Sequence, residues 1–481
     1  MADLTESQAH LAVDPRAGAS GQAHSFLAPA PSVEARMAAG KSLRGVVPRE
    51  ALGDFKPAAQ GRDVVGLLQS QARTRIPELV PVRHARMLTS PFAFYRGSAA
   101  LMAQDLAPSP TTGLQVQACG DMHVSNFGVF ASAERQLVFG INDFDETQPG
   151  PWEWDLKRLV ASAVLVGRFT GRDRVAQEGA VRATVAAYRR HMRRFARMGN
   201  LELWYQVMDS ESLLDTLSPS AREKAETVLR KARRRSHLQV LDKLADLVDD
   251  QYRIVEQHPL IVRLENTSVA WRGESHAAVA RFLDAYIASV APERRLLLRR
   301  YRLMDVALKV VGVGSVGTRC WILFMMGNDG RDPLFLQVKE AQPSVLAAHA
   351  GRSPFAHEGQ RVVVGQRLIQ GSPDIFLGWG SADGVDYYVR QLRDMKGGAE
   401  FVGGQGNDEN VTEYCGLCGW ALALAHAKSG DAARIAGYVG KSEALDDAMV
   451  RFAVAYADQT ERDHAVMAAA VKAGRLEAAA T

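Results

Sequence analysis

Residues 119–126 read CGDMHVSN, and a second short segment, INDFD at 141–145, follows an apolar run further along the chain. Asp121 and Asn126 stand five positions apart in the first segment, and Asp143 stands in the second. Asp121 or Asn126 alone is better explained as a cap on a turn, a position that both residue types favour. Together, three residues with hard oxygen atoms beside apolar strands indicate a magnesium site. Magnesium prefers such oxygens and usually takes only one or two carboxylates from a protein.

The same segments resemble the aminoglycoside phosphotransferase and choline kinase branch of the protein-kinase superfamily. That branch typically reads HGDLHPGN, then an apolar strand ending in IDF, then a GP-containing segment and a DLA triplet. This chain reads CGDMHVSN, INDF and PGPWEWDL. The resemblance implies that Asp121 is the catalytic base, that Asn126 and Asp143 hold the metal, and that Asp155 anchors the loop. Cys119 departs from the pattern, because it stands where the family has its first His.

A glycine-rich segment, GVGSVG, supplies Gly312, Gly314, Ser315 and Gly317. One explanation is a dinucleotide-binding fold, which requires a helix to begin inside the motif and an acidic residue about twenty positions on. The following TRCWILFM is a poor helix start and a good strand, and the corresponding downstream positions read LQV. The pattern therefore predicts a strand–turn–strand loop that binds phosphate, as in kinases.

A lysine stands on the next predicted strand. Lys339 ends LFLQVK in the setting of the kinase VAIK strand, where the lysine contacts the nucleotide phosphates and a glutamate of the following helix. Glu358 lies nineteen positions later in a segment that can form that helix, and Glu340 is a competing partner. The stretch from Asp386 to Leu392 reads as the strand that leads into a hinge beside the adenine. A lone lysine at a strand end would be a surface residue.

The two motif clusters occur in the reverse of the usual kinase order, and neither can transfer a phosphoryl group without the other. We therefore predict an α+β class and a protein-kinase-like two-lobe fold, circularly permuted, with a large helical portion; the alternative is a coincidental pair of motifs. The expected division is a flexible leader at 1–40, a mainly helical large lobe at 41–300 with the catalytic and metal loops, a strand-rich small lobe at 301–400 with the glycine loop and lysine, and helices at 401–481 that complete the large lobe.

Composition narrows the class of protein. Hydrophobic residues make up 47% and charged residues 23%, which is typical of globular proteins. The 58 Lys and Arg nearly balance the 54 Asp and Glu, which does not favour a nucleic-acid partner. The sequence predicts no membrane span and no secretory signal, and four cysteines are too few for a disulfide framework, so a cytoplasmic location is expected. Cys415 and Cys418 form a lone CxxC and are better explained as buried helix residues than as a metal or redox pair.

Over most of the chain, the segments SPFAFYRGSAALMAQDL, CGDMHVSNFGVF, INDFDETQPGPWEWDLKRL and YYVRQLRDMKG resemble the bacterial family known as domain of unknown function 2252, which has no assigned activity. Arg96 and Arg393, in two of these segments, could meet phosphate or substrate, or form surface ion pairs.

The predicted function is an ATP- and Mg²⁺-dependent phosphotransferase that acts on a small-molecule or protein acceptor. The alternatives are a kinase-like enzyme that transfers AMP, and a nucleotide-binding scaffold without turnover. The sequence specifies neither the acceptor nor the oligomeric state.

Overall fold

The computed structural model describes residues 31–57, 62–234, 237–248, 251–267, 276–310, 312, 314–392, 395–404 and 409–479. Its α-helices are α1 (Val33–Ser42), α2 (Val64–Ala72), α3 (Val80–Leu88), α4 (Pro91–Arg96), α5 (Ala99–Leu106), α6 (Trp152–Phe169), α7 (Arg174–Phe195), α8 (Asn200–Tyr205), α9 (Ser210–Leu214), α10 (Pro219–Arg234), α11 (His237–Leu244), α12 (His276–Ser289), α13 (Pro292–Leu298), α14 (Ala347–Ala350), α15 (Glu358–Ile369), α16 (Glu409–Ser429), α17 (Ala432–Val439) and α18 (Ala444–Lys472). Its strands are β1 (Gln115–Ala118), β2 (Phe127–Ala131), β3 (Leu137–Ile141), β4 (Gln148–Pro151), β5 (Met208–Asp209), β6 (Ala245–Val248), β7 (Gln251–Ile254), β8 (Ile261–Arg263), β9 (Arg302–Lys309), β10 (Cys320–Met326), β11 (Pro333–Glu340), β12 (Gly378–Ala382) and β13 (Val385–Gln391). Helices mixed with antiparallel sheets confirm the predicted α+β class.

The largest sheet has six antiparallel strands in the order β12-β13-β11-β10-β9-β8. Every residue of its central strand β10 is buried, because both faces of the sheet are covered. Trp321 and Leu323 pack on one face with Phe282 of α12, whereas Ile322 and Phe324 belong to a cluster on the other face. A strand covered on both faces reads as a continuous apolar run, which is what CWILFMM shows.

The strand-rich part of the chain begins before the predicted boundary at residue 301. Strand β8 pairs with β9, and the hydroxyl of Tyr286 in α12 donates to the carbonyl of Phe376 at 2.8 Å. These elements belong with the six-stranded sheet, so the predicted large lobe at 41–300 extends too far. A three-residue strand is too short to show a period of two in the sequence.

The remaining helices form a second body around a large apolar core that includes most of α6, α7, α16, α17 and α18. Two small sheets, β1-β4 and β2-β3-β5, lie against this body and carry the loops with the acidic residues. Cys415 and Cys418 are buried and free in α16, as expected of core helix residues. Among the described residues, no helix combines the length and the apolar character needed to cross a membrane.

The N-terminal segment is ordered earlier than predicted. Residues 1–30 lie outside the described part of the chain, but α1 begins at Val33, where the Ser32 hydroxyl accepts the amide of Ala35 at 3.1 Å. This helix packs so closely on α17 that a Cβ on Gly40 would lie 1.9 Å from the carbonyl oxygen of Arg434. The last part of the predicted flexible leader at 1–40 is therefore a packed helix.

Candidate active site

A cleft with a volume of about 180 Å³ lies between the six-stranded sheet and the helical body. Residues from both motif clusters line it. The residues predicted from sequence that line this cleft are Asp121, Asn126, Asp143, Gly312, Gly314, Ser315 and Lys339. Gly317 and Glu358 are not among its lining residues.

The buried carboxylate of Asp155 holds the loop that carries Asp121 in place. Asp155 accepts the amide of Cys119 at 2.6 Å and that of Gly120 at 3.0 Å, as expected for an anchoring residue. The ring nitrogen Nε2 of His426 lies 3.3 Å from the same carboxylate. Gly120 has φ +77°, and a Cβ there would lie 2.4 Å from the carbonyl oxygen of Glu146. The turn therefore requires glycine, and it presents Asp121 to the cleft.

Asp121 is held through one of its two oxygens. Arg158 of α6 donates from Nη2 and Nε to Asp121 Oδ1 at 2.5 Å and 2.8 Å, and the guanidinium lies over the Tyr95 ring at 4.3 Å. The second oxygen, Oδ2, accepts no hydrogen bond from any described residue, and 22% of the Asp121 side chain is exposed. Asp121 is thus oriented yet retains a free acceptor.

Asn126 and Asp143 offer two further oxygens to the same space. The Asn126 amide nitrogen donates to the backbone carbonyl of Asp121 at 2.7 Å, which turns Oδ1 away from that bond. Within the described chain, Asp143 has no ion-pair partner. Burial and the neighbouring Asp145 raise the pKa of Asp143. A divalent cation would relieve this repulsion, so the donor set fits magnesium, although the described residues contain no group of three His, Cys, Asp or Glu arranged to hold a metal.

Lys339 is paired with Asp145, a residue that no sequence motif marks as its partner. Its ammonium nitrogen lies 2.5 Å from Asp145 Oδ2, and the hydroxyls of Tyr388 and Ser315 donate to the same carboxylate. Burial alone would raise the pKa of Asp145, but Lys339 and Tyr388 lower it to about 2. Burial likewise opposes the charge on Lys339, but Asp145 raises its pKa overall. Both groups are therefore charged at neutral pH.

The predicted pairing of Lys339 with Glu358 is wrong. Glu358 is the first residue of α15, where its carboxylate accepts from Arg361 at 2.5 Å. The competing candidate, Glu340, is paired with Arg319 at 3.0 Å. Glu340 also lines the cleft, but its carboxylate is engaged by Arg319 and not by Lys339.

Arg361 is a charged residue of α15 that faces the interior. It is 1% exposed and donates to the backbone carbonyls of Thr147, Asp145 and Gln342 at 2.6, 3.0 and 2.7 Å. Two of these carbonyls belong to the segment between β3 and β4, and one follows β11. Through these hydrogen bonds, Arg361 connects the segment between β3 and β4 to the segment that follows β11.

The glycine loop joins β9 to β10 as a strand–turn–strand connection, although Val311 and Val313 lie outside the described residues. Gly317 has φ +89°, and its carbonyl accepts the amide of Ile76 at 2.7 Å. Gly317 is thus a turn residue at the base of the loop, away from the cleft. Gly312 and Gly314 are exposed and line the cleft.

Several lining residues carried no recognisable motif. Glu146 accepts the amide of Val345 at 2.7 Å, and burial raises its pKa to about 7. Arg75 and Arg83 reach the cleft from the N-terminal part of the chain, as does Arg96, a candidate from the sequence. Arg393, singled out with Arg96, lies outside the described residues.

No curated protein and no solved structure matches the chain. One family model matches residues 75–470, a range that includes both motif clusters of the cleft. The chain therefore belongs to the family described as an uncharacterized protein conserved in bacteria (DUF2252).

Proposed function

We propose that this protein is an ATP- and Mg²⁺-dependent phosphotransferase with a circularly permuted, kinase-like fold. One observation carries the proposal: the acidic loops at 119–145 and the glycine loop and lysine at 312–339, far apart in sequence, line one cleft. Phosphoryl transfer needs both parts together, because the metal and the lysine must contact the same phosphates. If the two motif clusters occurred in the chain by coincidence, they would not be expected to line the same cleft.

The order of elements in the strand-rich body supports a kinase small lobe. The glycine loop joins β9 to β10, Lys339 is the penultimate residue of β11, and α15 follows before β12 and β13. This is the succession of glycine loop, lysine strand and helix that defines the kinase nucleotide site. In place of a glutamate from the helix, we assign Asp145 the role of orienting the lysine.

The packing of the chain ends supports a permutation. The C-terminal end of α16 lies beside β1, where the Ser429 hydroxyl accepts the amide of Gln117 at 3.2 Å. A kinase chain would pass directly from such a helix to the catalytic loop. Here the C-terminal helices intervene, and they return to the N-terminal ones: the amide of Ala479 donates to the carbonyl of Pro81 at 3.0 Å. The helices that follow α16 thus pack against residues that precede the acidic loops, an arrangement that a circular permutation would allow.

Four of the lining residues then have distinct roles. Asp121 would accept the proton of an acceptor hydroxyl while that oxygen bonds to the terminal phosphorus and the bond to the bridging oxygen breaks, releasing ADP. Asn126 and Asp143 would hold magnesium, which neutralises phosphate charge. Lys339 would contact the phosphates beneath the glycine loop. The four free, buried cysteines agree with a reducing, cytoplasmic location.

The test is turnover of ATP labelled in the alpha or the gamma phosphate, with and without Mg²⁺, in the wild type, Asp143→Asn and Asp121→Asn. We expect Mg²⁺-dependent release of ADP that Asp143→Asn abolishes while circular dichroism stays unchanged. Loss of a general base typically lowers the rate about 10²–10⁴-fold, so Asp121→Asn should retain nucleotide binding but lose turnover. Turnover unchanged in Asp143→Asn would remove the metal assignment, and release of pyrophosphate would indicate AMP transfer instead.

A further inference from the structure

Three arginines from the N-terminal helices converge on the cleft beside Asp121. Arg75 follows α2, Arg83 lies in α3 and Arg96 is the last residue of α4. All three line the cleft. They come from a part of the chain that contributes neither the glycine loop nor the acidic loops, so they form a separate wall of the site.

Several hydrogen-bond donors of these three arginines have no partner. Arg83 is 1% exposed, and although it donates to the carbonyl of Gly97 at 2.7 Å, its Nε and Nη1 atoms are buried without a hydrogen-bond partner. The Nε atoms of Arg75 and Arg96 are also buried and unpartnered. Within the described residues, none of the three forms an ion pair with a carboxylate. A buried cation with unsatisfied donors is unfavourable unless an anion is supplied.

Most carboxylates of the cleft are already neutralised by other groups. These pairs are Asp121 with Arg158, Asp145 with Lys339, and Glu340 with Arg319. Glu146, with a pKa raised to about 7 by burial, is largely protonated below neutral pH. Asp143, the remaining carboxylate of the cleft lining, forms no ion pair with the three arginines among the described residues, so their unpartnered donors stay available to a ligand.

Backbone contacts hold the arginine wall against the glycine loop. Arg75 Nη1 donates to the carbonyl of Val316 at 2.5 Å, and a Cβ on Gly314 would lie 3.4 Å from the carbonyl oxygen of Arg96. An anion bound by these arginines would thus sit under the same loop as the nucleotide and next to Asp121. That is where an acceptor must lie for its hydroxyl to reach the base.

We propose that Arg75, Arg83 and Arg96 bind a phosphate group of the acceptor, so that the substrate is a phosphorylated molecule. A phosphate offers three strong acceptor oxygens and close to two negative charges at neutral pH, and guanidinium groups bind it with paired hydrogen bonds. That the bound phosphate belongs to an acceptor rests on the proposed phosphotransferase function. Binding of phosphate at the arginine wall does not.

The test is a calorimetric titration of inorganic phosphate, first into the protein alone and then into the protein saturated with Mg²⁺ and a non-hydrolysable ATP analogue. Arg83→Gln and Arg96→Gln are compared with wild type and with Arg73→Gln, an exposed arginine of the same segment outside the cleft. We expect phosphate to bind in both conditions. Each cleft variant should weaken phosphate binding about tenfold or more, as for loss of a charge-assisted hydrogen bond, and Arg73→Gln should not change it.

The outcomes separate this inference from the proposed function. Competition between phosphate and the analogue, or variants that weaken the analogue as much as phosphate, would mean that the arginines hold the nucleotide and would overturn the inference. Phosphate binding that neither cleft variant changes, or no binding to wild type, would also overturn it. Phosphate binding without analogue binding would leave the anion site intact and refute the phosphotransferase. Arg96→Gln decides the question if Arg83→Gln fails to fold, because Arg83 also supports Gly97.

Discussion

The ion pair between Lys339 and Asp145 makes a quantitative prediction about stability. The side chains are 3% and 28% exposed, and removing one partner of a buried pair leaves an uncompensated charge that costs about 3–5 kcal/mol. Asp145 keeps the hydroxyls of Tyr388 and Ser315 and some contact with solvent. We therefore expect Lys339→Met to lower the free energy of unfolding by about 3 kcal/mol, the bottom of that range. Adding Asp145→Asn removes the unpaired negative charge and should restore about 2 kcal/mol of the free energy of unfolding.

The assay is urea unfolding of the wild type, both single variants and the double variant near pH 7.5, with Lys472→Met as an exposed-lysine control. The folded-state pKa of Asp145 is lowered from 3.8 to about 2, so its contribution is complete above pH 3.8 and disappears as pH falls through 2. The difference between wild type and Lys339→Met should shrink over that window. Additive effects of the two substitutions, or a Lys339→Met protein as stable as the control, would refute the reasoning.

Two further predictions concern the loops of the cleft. Burial raises the pKa of Glu146 from 4.5 to about 7. The contribution of this group to the free energy of unfolding is therefore complete below pH 4.5, and it is lost as pH rises through 7 and the carboxyl becomes charged. Glu146→Gln should therefore match wild type in urea unfolding near pH 4 and exceed it by at most about 3 kcal/mol at pH 8; a difference independent of pH would contradict this. Asp155→Asn places an amide group where two backbone amides converge, so it should destabilise the protein by about 2 kcal/mol and speed hydrogen exchange at Cys119 and Gly120; unchanged exchange would exclude the anchoring role.

Residues whose position follows from local spacing were predictable. A glycine loop between two strands and a lysine on the third are set by alternation along strands, and the five-residue spacing of Asp121 and Asn126 is set within one turn. The lysine partner was not predictable in the same way, because it depends on which face α15 turns inward. Arg361 occupies that face, three residues after Glu358, and the loop carboxylate of Asp145 fills the space.

Long-range packing determined the features that could not be predicted from the sequence. Arg75 and Arg83 reach the cleft only because α2 and α3 pack beside the glycine loop, and no local pattern marks such a contact. The boundary of the strand-rich body was misplaced for a related reason, since α12 is an ordinary amphipathic helix whose partner, the six-stranded sheet, follows it in sequence. Motifs could thus place loop and strand residues at the cleft, whereas partners across the cleft required the fold.

The central claim is that the two motif clusters form one magnesium-dependent nucleotide site. Calorimetric titration of ATP, with and without Mg²⁺, into the wild type, Lys339→Ala and Asp143→Asn tests it most directly, with folding of each variant verified by circular dichroism. We expect Mg²⁺-dependent binding to wild type, and we expect each substitution, one from each half of the cleft, to weaken it about tenfold or more. A folded wild-type protein that binds no ATP in the presence of Mg²⁺ would contradict it.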